Sequence, residues 1–266
     1  MSGLVQSISD APDLDRRFGG LRRLYGETDY ARLRASHVAV VGLGGVGSWA
    51  VEALARSGVA GLTLIDLDHV AESNINRQIQ ALGATLGQAK AEALRARVAD
   101  IHPECTVHVV EEFVDERNWP RLLPQPVDAL IDACDQGRAK LAMASWALRE
   151  RVAFVSVGAA GGKRLAQRTE VADLADATHD PLLATLRQRL RKAGLGASKR
   201  GFGVRCVFSR EAVSRPAGAC DVDGNLNCHG YGSSVAVTAS FGLAAAGDAI
   251  EQLLSRRLDD TSKCCL

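Results

Sequence analysis

The stretch from His37 to Asp68, HVAVVGLGGVGSWAVEALARSGVAGLTLIDLD, leaves few choices of fold. An apolar run at Val38–Val41 meets Gly42, Gly44, Gly45 and Gly47. A helical pattern over Ser48–Ser57 follows, Gly58 closes it, and a second apolar run, Leu62–Ile65, ends at Asp66. Strand, glycine turn, helix, strand and acid in that order make a nucleotide-binding βαβ unit. The glycines remove Cβ atoms so that backbone N–H groups and the helix start can approach phosphate oxygens, and the acid can hold ribose hydroxyls. That logic serves any nucleotide. By its own residues, Gly42-x-Gly44-x-x-Gly47 with Asp66 fits the dinucleotide fingerprint better than an ATP site.

The rest of the chain extends the unit. Strands are expected at Thr106–Val110, Val127–Ile131 and Ala153–Val157, with helices at Gly87–Ile101 and Arg138–Arg151. The alternation predicts a parallel sheet with helices on both faces. Ahead of it, Asp10–Ser36 has apolar residues at helical spacing, which predicts short helices broken at Gly19-Gly20. Beyond Gly158 the alternation stops. A glycine cluster (Gly158–Gly162), a strand within Lys163–Val171, a basic amphipathic helix (Pro181–Lys192), a strand (Phe202–Phe208) and a polar loop (Ser214–Tyr231) precede a long small-residue helix, Ser233–Leu254. The expected fold class is α/β: a Rossmann-like, mainly parallel sheet with helices on both faces, extended by C-terminal strands and a long helix. We expect one domain over residues 1–266, divided into N-terminal helices (1–36), a nucleotide-binding half (37–160) and a substrate or dimer extension (161–266).

Ser234–Leu254 is apolar enough to need a membrane check. Gly, Ser and Thr dilute it and Asp248 and Glu251 interrupt it, whereas a spanning helix needs about 20 predominantly apolar residues. A core helix is expected, lying on the sheet through Gly242, Ala244, Ala245 and Gly247, with peripheral membrane contact as the minor alternative. No stable membrane insertion is expected. Met1–Asp10 lacks the basic start and apolar stretch of a signal peptide. The seven cysteines are scattered, odd in number and contain no CxxC pair, so they read as reduced thiols of a cytoplasmic protein, without a zinc site. A net charge of +1 gives no global polyanion signature.

Which nucleotide binds is decided outside the glycine turn. Ser73-Asn74-Ile75-Asn76-Arg77-Gln78 places amides and a guanidinium just past the ribose acid, and Lys90 stands on the next helix. Arg is a bidentate phosphate binder and Lys a point charge for a triphosphate. Asp132 and Asp135 lie at the C-terminal end of the fourth strand, where ligands of open α/β sheets bind and a carboxylate can hold Mg²⁺ bridging phosphates. Singly, Lys90 is a solvated helix lysine, Arg77 a surface residue and Asp132 a helix cap. Together they favour ATP over NAD.

GLGGVGS, LIDLD, SNINRQ, LGQAK and LIDACD occur in the order seen in the ubiquitin-activating-enzyme superfamily of ThiF-type adenylyltransferases, which the chain resembles over about residues 15–160. The resemblance implies attack of a carboxylate on MgATP, giving an acyl-adenylate and pyrophosphate. It implies a nucleotide site of Gly42, Gly44, Gly45, Gly47, Asp66, Asp68, Asn76, Arg77, Gln78, Lys90 and Asp132. Arg77, Lys90 and Asp132 would be catalytic, with Asp132 on Mg²⁺. A homodimer is implied too, each N-terminal segment near the other's ATP; Gly20 falls near the family's N-terminal arginine, and Arg17, Arg22 or Arg23 could substitute.

RFGG (Arg17–Gly20), the Gly158–Gly162 cluster, DPLLATLRQRLRK (Asp180–Lys192), GVRCVFSREAV (Gly203–Val213) and CHGYG (Cys228–Gly232) resemble a narrower branch that acts on threonylcarbamoyladenosine beside the tRNA anticodon. That branch implies ATP-driven cyclisation of the modified base, with tRNA as partner. It leaves room for a monovalent cation and a sulfur-transfer protein partner. The residues agree in one respect. Leu182–Arg215 holds nine basic side chains, among them Arg187, Arg189, Arg191, Lys192, Lys199 and Arg200, against Glu211 alone. Such a patch suits nucleic-acid phosphates, or is a cationic face solvated or paired elsewhere in the fold. Little aromatic interleaving occurs in it, so base stacking is not indicated. Cys228, beside His229, is either a nucleophile or a structural thiol, as Cys105, Cys134 and Cys206 are expected to be. Two other readings stay open: activation of the C-terminus of a ubiquitin-like sulfur-carrier protein, and an NAD-binding oxidoreductase.

Overall fold

The structure, a computed structural model, describes residues 12–196, 201–214 and 231–255. The βαβ unit forms as β1 (His37–Val41), α2 (Gly47–Arg56) and β2 (Gly61–Ile65). Gly58, at φ 73°, takes the left-handed turn that ends α2 and returns the chain to β2. Gly47 permits the tight entry, since a Cβ there would overlap the Gly42 carbonyl oxygen.

α3 (Lys90–Ile101), β3 (Thr106–Val110), β4 (Ala129–Asp132), α4 (Gly137–Glu150) and β5 (Ala153–Val157) follow. Then come β6 (Thr169–Asp173), α5 (Pro181–Lys192), β7 (Arg205–Ser209) and α6 (Val235–Ser255). The sheet order is β3-β2-β1-β4-β5-β7-β6, parallel except for the β6–β7 pair. Strands from both halves of the chain thus share one sheet, as expected. Because β2 and β4 flank β1, the chain reverses direction across the sheet at the C-terminal ends of β1 and β4. This is the switch point where such sheets bind ligands.

Alternation along the strands fills both faces. Val38 and Val40 join Leu54, Leu94, Phe241 and Ala245 in one core, under α2, α3 and α6. Ala39 and Val41 join Met143, Leu183, Leu186 and Phe208 in the other, under α4 and α5.

Four expectations need correction. The leading helix α1 (Leu14–Ala35) runs through Gly19-Gly20 and kinks instead at Gly26 (φ 79°, ψ 166°). The α3 helix begins at Lys90 rather than Gly87, because Gly87 adopts φ 80° in a turn closed by its N–H to the Val70 carbonyl. The strand expected within Lys163–Val171 starts only at Thr169, since the Lys163 ammonium is buried on the Ser209 and Glu211 carbonyls. Finally, Gly242 brings α6 against α2 rather than only the sheet: a Cβ there would overlap the Val46 carbonyl oxygen and lie 2.8 Å from Trp49 Cβ. A Cβ at Gly247 would meet nothing within 4 Å. Among the described residues no helix is long and apolar enough to cross a membrane.

Candidate functional site

The switch point opens into a cavity of about 860 Å³. Its floor is the glycine turn. Gly42, Gly44 and Gly45 line it, and Gly45 lets the Arg77 stem and Thr238 of α6 approach, both 3.2 Å from where a Cβ would stand. Asp66 fastens this turn, accepting the Leu43 N–H at 2.6 Å and the Asp68 N–H at 2.8 Å.

Burial raises the Asp66 pKa above 3.8, despite the opposing pull of Lys90 and the two N–H donors. Ionising Asp66 therefore costs folding stability as pH rises from 3.8 through the raised value. Over the same window it restores an acceptor for a ribose. Nucleotide affinity is expected to fall on acidification at a pH above that of an ordinary aspartate, and Asp66→Asn should flatten that fall in equilibrium titrations with ATP.

The loop after β2 supplies the charges. Lys90, at the start of α3, is buried with its Nζ 2.8 Å from Asp68 Oδ2, and both line the cavity. Arg77 lines it too. Its Nη1 donates to the Ser73 carbonyl and Asn76 Oδ1, while Trp49 Nε1 donates to the Arg77 carbonyl. Gln78 is buried at the wall, held by Gln80, whose Nε2 also donates to the Leu43 carbonyl.

Two predicted site residues stand elsewhere. Asn76 is exposed outside the cavity lining, and its amide donates to the Ser233 carbonyl ahead of α6. Buried Asn74, not singled out from the sequence, lines the cavity instead. Asp132 is completely buried and does not reach the lining. Its carboxylate accepts from Ser156 Oγ at 2.7 Å and lies 3.0 Å from Lys140 Nζ, itself fully buried and donating to the Val157 carbonyl at 2.7 Å. Burial opposes the Lys140 charge, but Asp132 and its neighbours outweigh it and hold the ammonium above its ordinary pKa. Asp135, exposed on the turn that follows, is the β4-end carboxylate that faces the cavity. Between them Cys134 also faces it, its thiol pushed up by burial and by Asp132 and therefore neutral.

The wall beyond β5 carries little charge. Gly158, Ala159, Ala160 and Gly161 line it with Pro181, Leu182, Val213 and Tyr231. Buried Asp180 braces it, capping α5 through the Leu183 N–H at 3.0 Å and accepting the Ala159 N–H at 2.7 Å.

At this wall begins α5, a helix about 18 Å long. The basic patch it carries is smaller than its sequence count. Arg187 is bound to the Leu174 and Ala177 carbonyls, Arg205 to Asp248 and Arg210 to Glu170. Arg189, Arg191 and Lys192 have no carboxylate partner among the described residues; Arg191 lies over the Phe202 ring at 5.5 Å. Of the N-terminal arginines, Arg17 is held by the Asp100 and Ile101 carbonyls and Arg22 by Asp15, leaving Arg23 exposed. Cys228, Lys199 and Arg200 lie outside the described residues.

The sequence held a signal for Lys140, which falls on the apolar face of α4 with Met143, Ala144 and Ala147. Asp180 was legible as the N-cap ahead of Pro181, but its bond to the Ala159 N–H and the place of Tyr231 on the wall come from segments meeting in space.

Comparison with known proteins agrees with this arrangement. The chain is 40% identical over 248 residues to the tRNA threonylcarbamoyladenosine dehydratase of Haemophilus influenzae, covering 91% of this chain and 95% of the relative. It is 42% identical to that of Escherichia coli over 262 residues, covering 94% and 97%. A crystal structure of the E. coli dehydratase, TcdA, in complex with ATP superposes with a TM-score of 0.83, covering 94% of this chain and 98% of that one. The ThiF family profile matches residues 17–263, and with a Rossmann-like switch-point cavity ringed by Asp66, Arg77 and Lys90, the chain belongs to the ThiF family.

Proposed function

We propose that this protein uses ATP to dehydrate N6-threonylcarbamoyladenosine in tRNA, closing the threonylcarbamoyl group into a ring. The observation that supports it is a single cavity with two unlike halves, in a chain similar nearly end to end to named dehydratases. One half carries Asp66, Asp68, Arg77, Lys90, Glu112 and Asp135; the other, beyond β5, bears no Asp, Glu, Lys or Arg in its lining. The first suits a nucleoside triphosphate and the second an uncharged part of the acyl-bearing substrate.

The substrate's carboxylate oxygen attacks the α-phosphorus of ATP, and the bond to the β-phosphate breaks to release pyrophosphate. An internal nitrogen of the threonylcarbamoyl group then attacks the acyl carbon, losing its proton as AMP leaves. Asp66 holds the ribose; Arg77 and Lys90 hold the phosphates and stabilise the charge that develops on pyrophosphate. Asp135, rather than the enclosed Asp132, is the carboxylate for Mg²⁺. Asp135 would help hold the ion, and Mg²⁺ there would neutralise phosphate charge. The reading includes a cytoplasmic homodimer in which Arg23 is the N-terminal arginine available to the second subunit.

With ATP and tRNA carrying threonylcarbamoyladenosine, the protein should release AMP and pyrophosphate and yield the cyclic nucleoside on mass spectrometry. Adenylation of a carrier protein ending in Gly-Gly, with the tRNA nucleoside unchanged, would replace this reading. The tRNA is expected to rest on α5. Reversing Arg189, Arg191 and Lys192 to Glu should weaken tRNA binding and lower its log–log salt slope by about 0.7–0.9 for each phosphate no longer neutralised, with ATP affinity unchanged.

A further inference from the structure

The uncharged half of the cavity has a definite place relative to the nucleotide. Sheet order sets the strand ends side by side as β3, β2, β1, β4, β5. Asp66 ends β2, the glycine turn follows β1, Asp135 follows β4 and Gly158–Gly161 follow β5. At about 4.8 Å per strand the ribose acid and the β5 wall are ~14 Å apart, with the phosphate-binding turn between them. A nucleotide held by Asp66 and the glycine turn thus leaves the β5 wall to whatever carries the carboxylate.

That wall is assembled rather than incidental. Gly162 sits at φ 73°, and a Cβ there would lie 2.5 Å from Val213 Cγ1 and 3.4 Å from Tyr231 Cδ1. Its N–H donates to the Gly232 carbonyl and its carbonyl accepts the Ser214 N–H, each at 2.8 Å. A Cβ on Gly161 would stand 3.6 Å from Tyr231 Cβ. Two distant chain segments therefore dock on one glycine pair and set an aromatic ring and a Val side chain at the cavity. Leu182 closes the same wall at the start of α5, which carries Arg189, Arg191 and Lys192 farther along.

We propose that this wall receives the modified adenine itself, turned out of the RNA, with Tyr231 as its stacking platform and Leu182 and Val213 along its edge. The inference rests on the dehydratase reading above. Enzymes that act on a base commonly receive it unstacked, and an aromatic face with apolar neighbours offsets the lost stacking. Aromatic residues are sparse in the basic stretch itself, so the ring comes from outside it. The adenine stays at the β5 wall while its carboxylate-bearing arm reaches back over the β4 end to the phosphates.

The test compares wild type, Tyr231→Ala, Tyr231→Phe and Leu182→Trp. Turnover is measured against tRNA with and without the threonylcarbamoyl group, alongside ATP affinity. Tyr231→Ala should raise KM for the modified tRNA about 10- to 100-fold with ATP affinity unchanged, and Tyr231→Phe should restore it. Leu182→Trp, which fills the subsite, should raise the same KM if Tyr231→Ala does not fold. A KM within about twofold of wild type in both Tyr231→Ala and Leu182→Trp overturns the subsite while leaving the dehydratase reading intact. Equal losses in Tyr231→Phe and Tyr231→Ala overturn stacking in favour of the hydroxyl. Wild type that cyclises no modified tRNA overturns the dehydratase reading and the subsite with it.

Discussion

Replacing Lys140 with methionine is expected to destabilise the protein by about 3–5 kcal/mol, read as a lowered denaturant midpoint. Lys140 and Asp132 are both 0% exposed, so removing the ammonium leaves a carboxylate enclosed with only Ser156 and Cys134 as donors among the described residues. The Val157 carbonyl loses its donor in the same step. Breaking a buried pair is costly because the surviving charge cannot reach water, whereas replacing both members by neutral groups of similar size is far milder. Adding Asp132→Asn to Lys140→Met should therefore recover about 2 kcal/mol, although each change alone destabilises. A double variant no more stable than Lys140→Met would show that the pair is not the source of the loss. By the same argument Asp132→Ala should lose adenylation because it leaves Lys140 buried without its carboxylate, with Mg²⁺ affinity unchanged, whereas Asp135→Asn should raise the Mg²⁺ concentration the reaction needs.

Arg77→Ala should lower kcat/KM for the ATP-driven reaction by about 10²–10³-fold, with tRNA binding retained. Nη1 of Arg77 donates to Ser73 and Asn76, and those bonds fix the plane of the fork. The remaining guanidinium donors, on a cavity-lining side chain, have no hydrogen-bond partner among the described residues and can take up phosphate oxygens there. Trp49 pins the backbone beneath through the Arg77 carbonyl at 3.0 Å, so the guanidinium is preorganised rather than recruited. Arg77→Lys should recover little, because an ammonium keeps the charge but not the planar bidentate geometry. Steady-state kinetics with varied ATP at saturating tRNA separates this from a folding defect. Full activity in Arg77→Lys would leave charge alone as the requirement.

Local pattern was enough for the nucleotide half. Glycines at 42, 44, 45 and 47 between two apolar runs admit only a tight strand-to-helix turn, and Asp66 lands beside it because strand length fixes where β2 ends. Arg77 and Lys90 were legible for the same reason: each lies within one supersecondary unit of the turn it serves. Asp132 was misplaced because its position at a strand end says nothing about which way the next turn exposes its carboxylate. Three residues on, Asp135 had the same local credentials, and only the packing of Lys140 from α4 and Ser156 from β5 decided between them. The basic patch was overcounted likewise, since Asp248 and Glu170, which neutralise Arg205 and Arg210, are distant in sequence.

By itself, then, the sequence determined an α/β nucleotide-binding fold, its glycine turn and the Asp66, Arg77 and Lys90 side chains that line its cavity, all features set by short-range periodicity and turn chemistry. Tertiary structure alone decided which aspartate is enclosed and which faces the cavity, which arginines carry a carboxylate partner, and that Tyr231, Val213 and Leu182 line one cavity with Asp66, Arg77 and Lys90. The physical reason is that burial and charge pairing depend on which segments come together, and no local pattern carries that information.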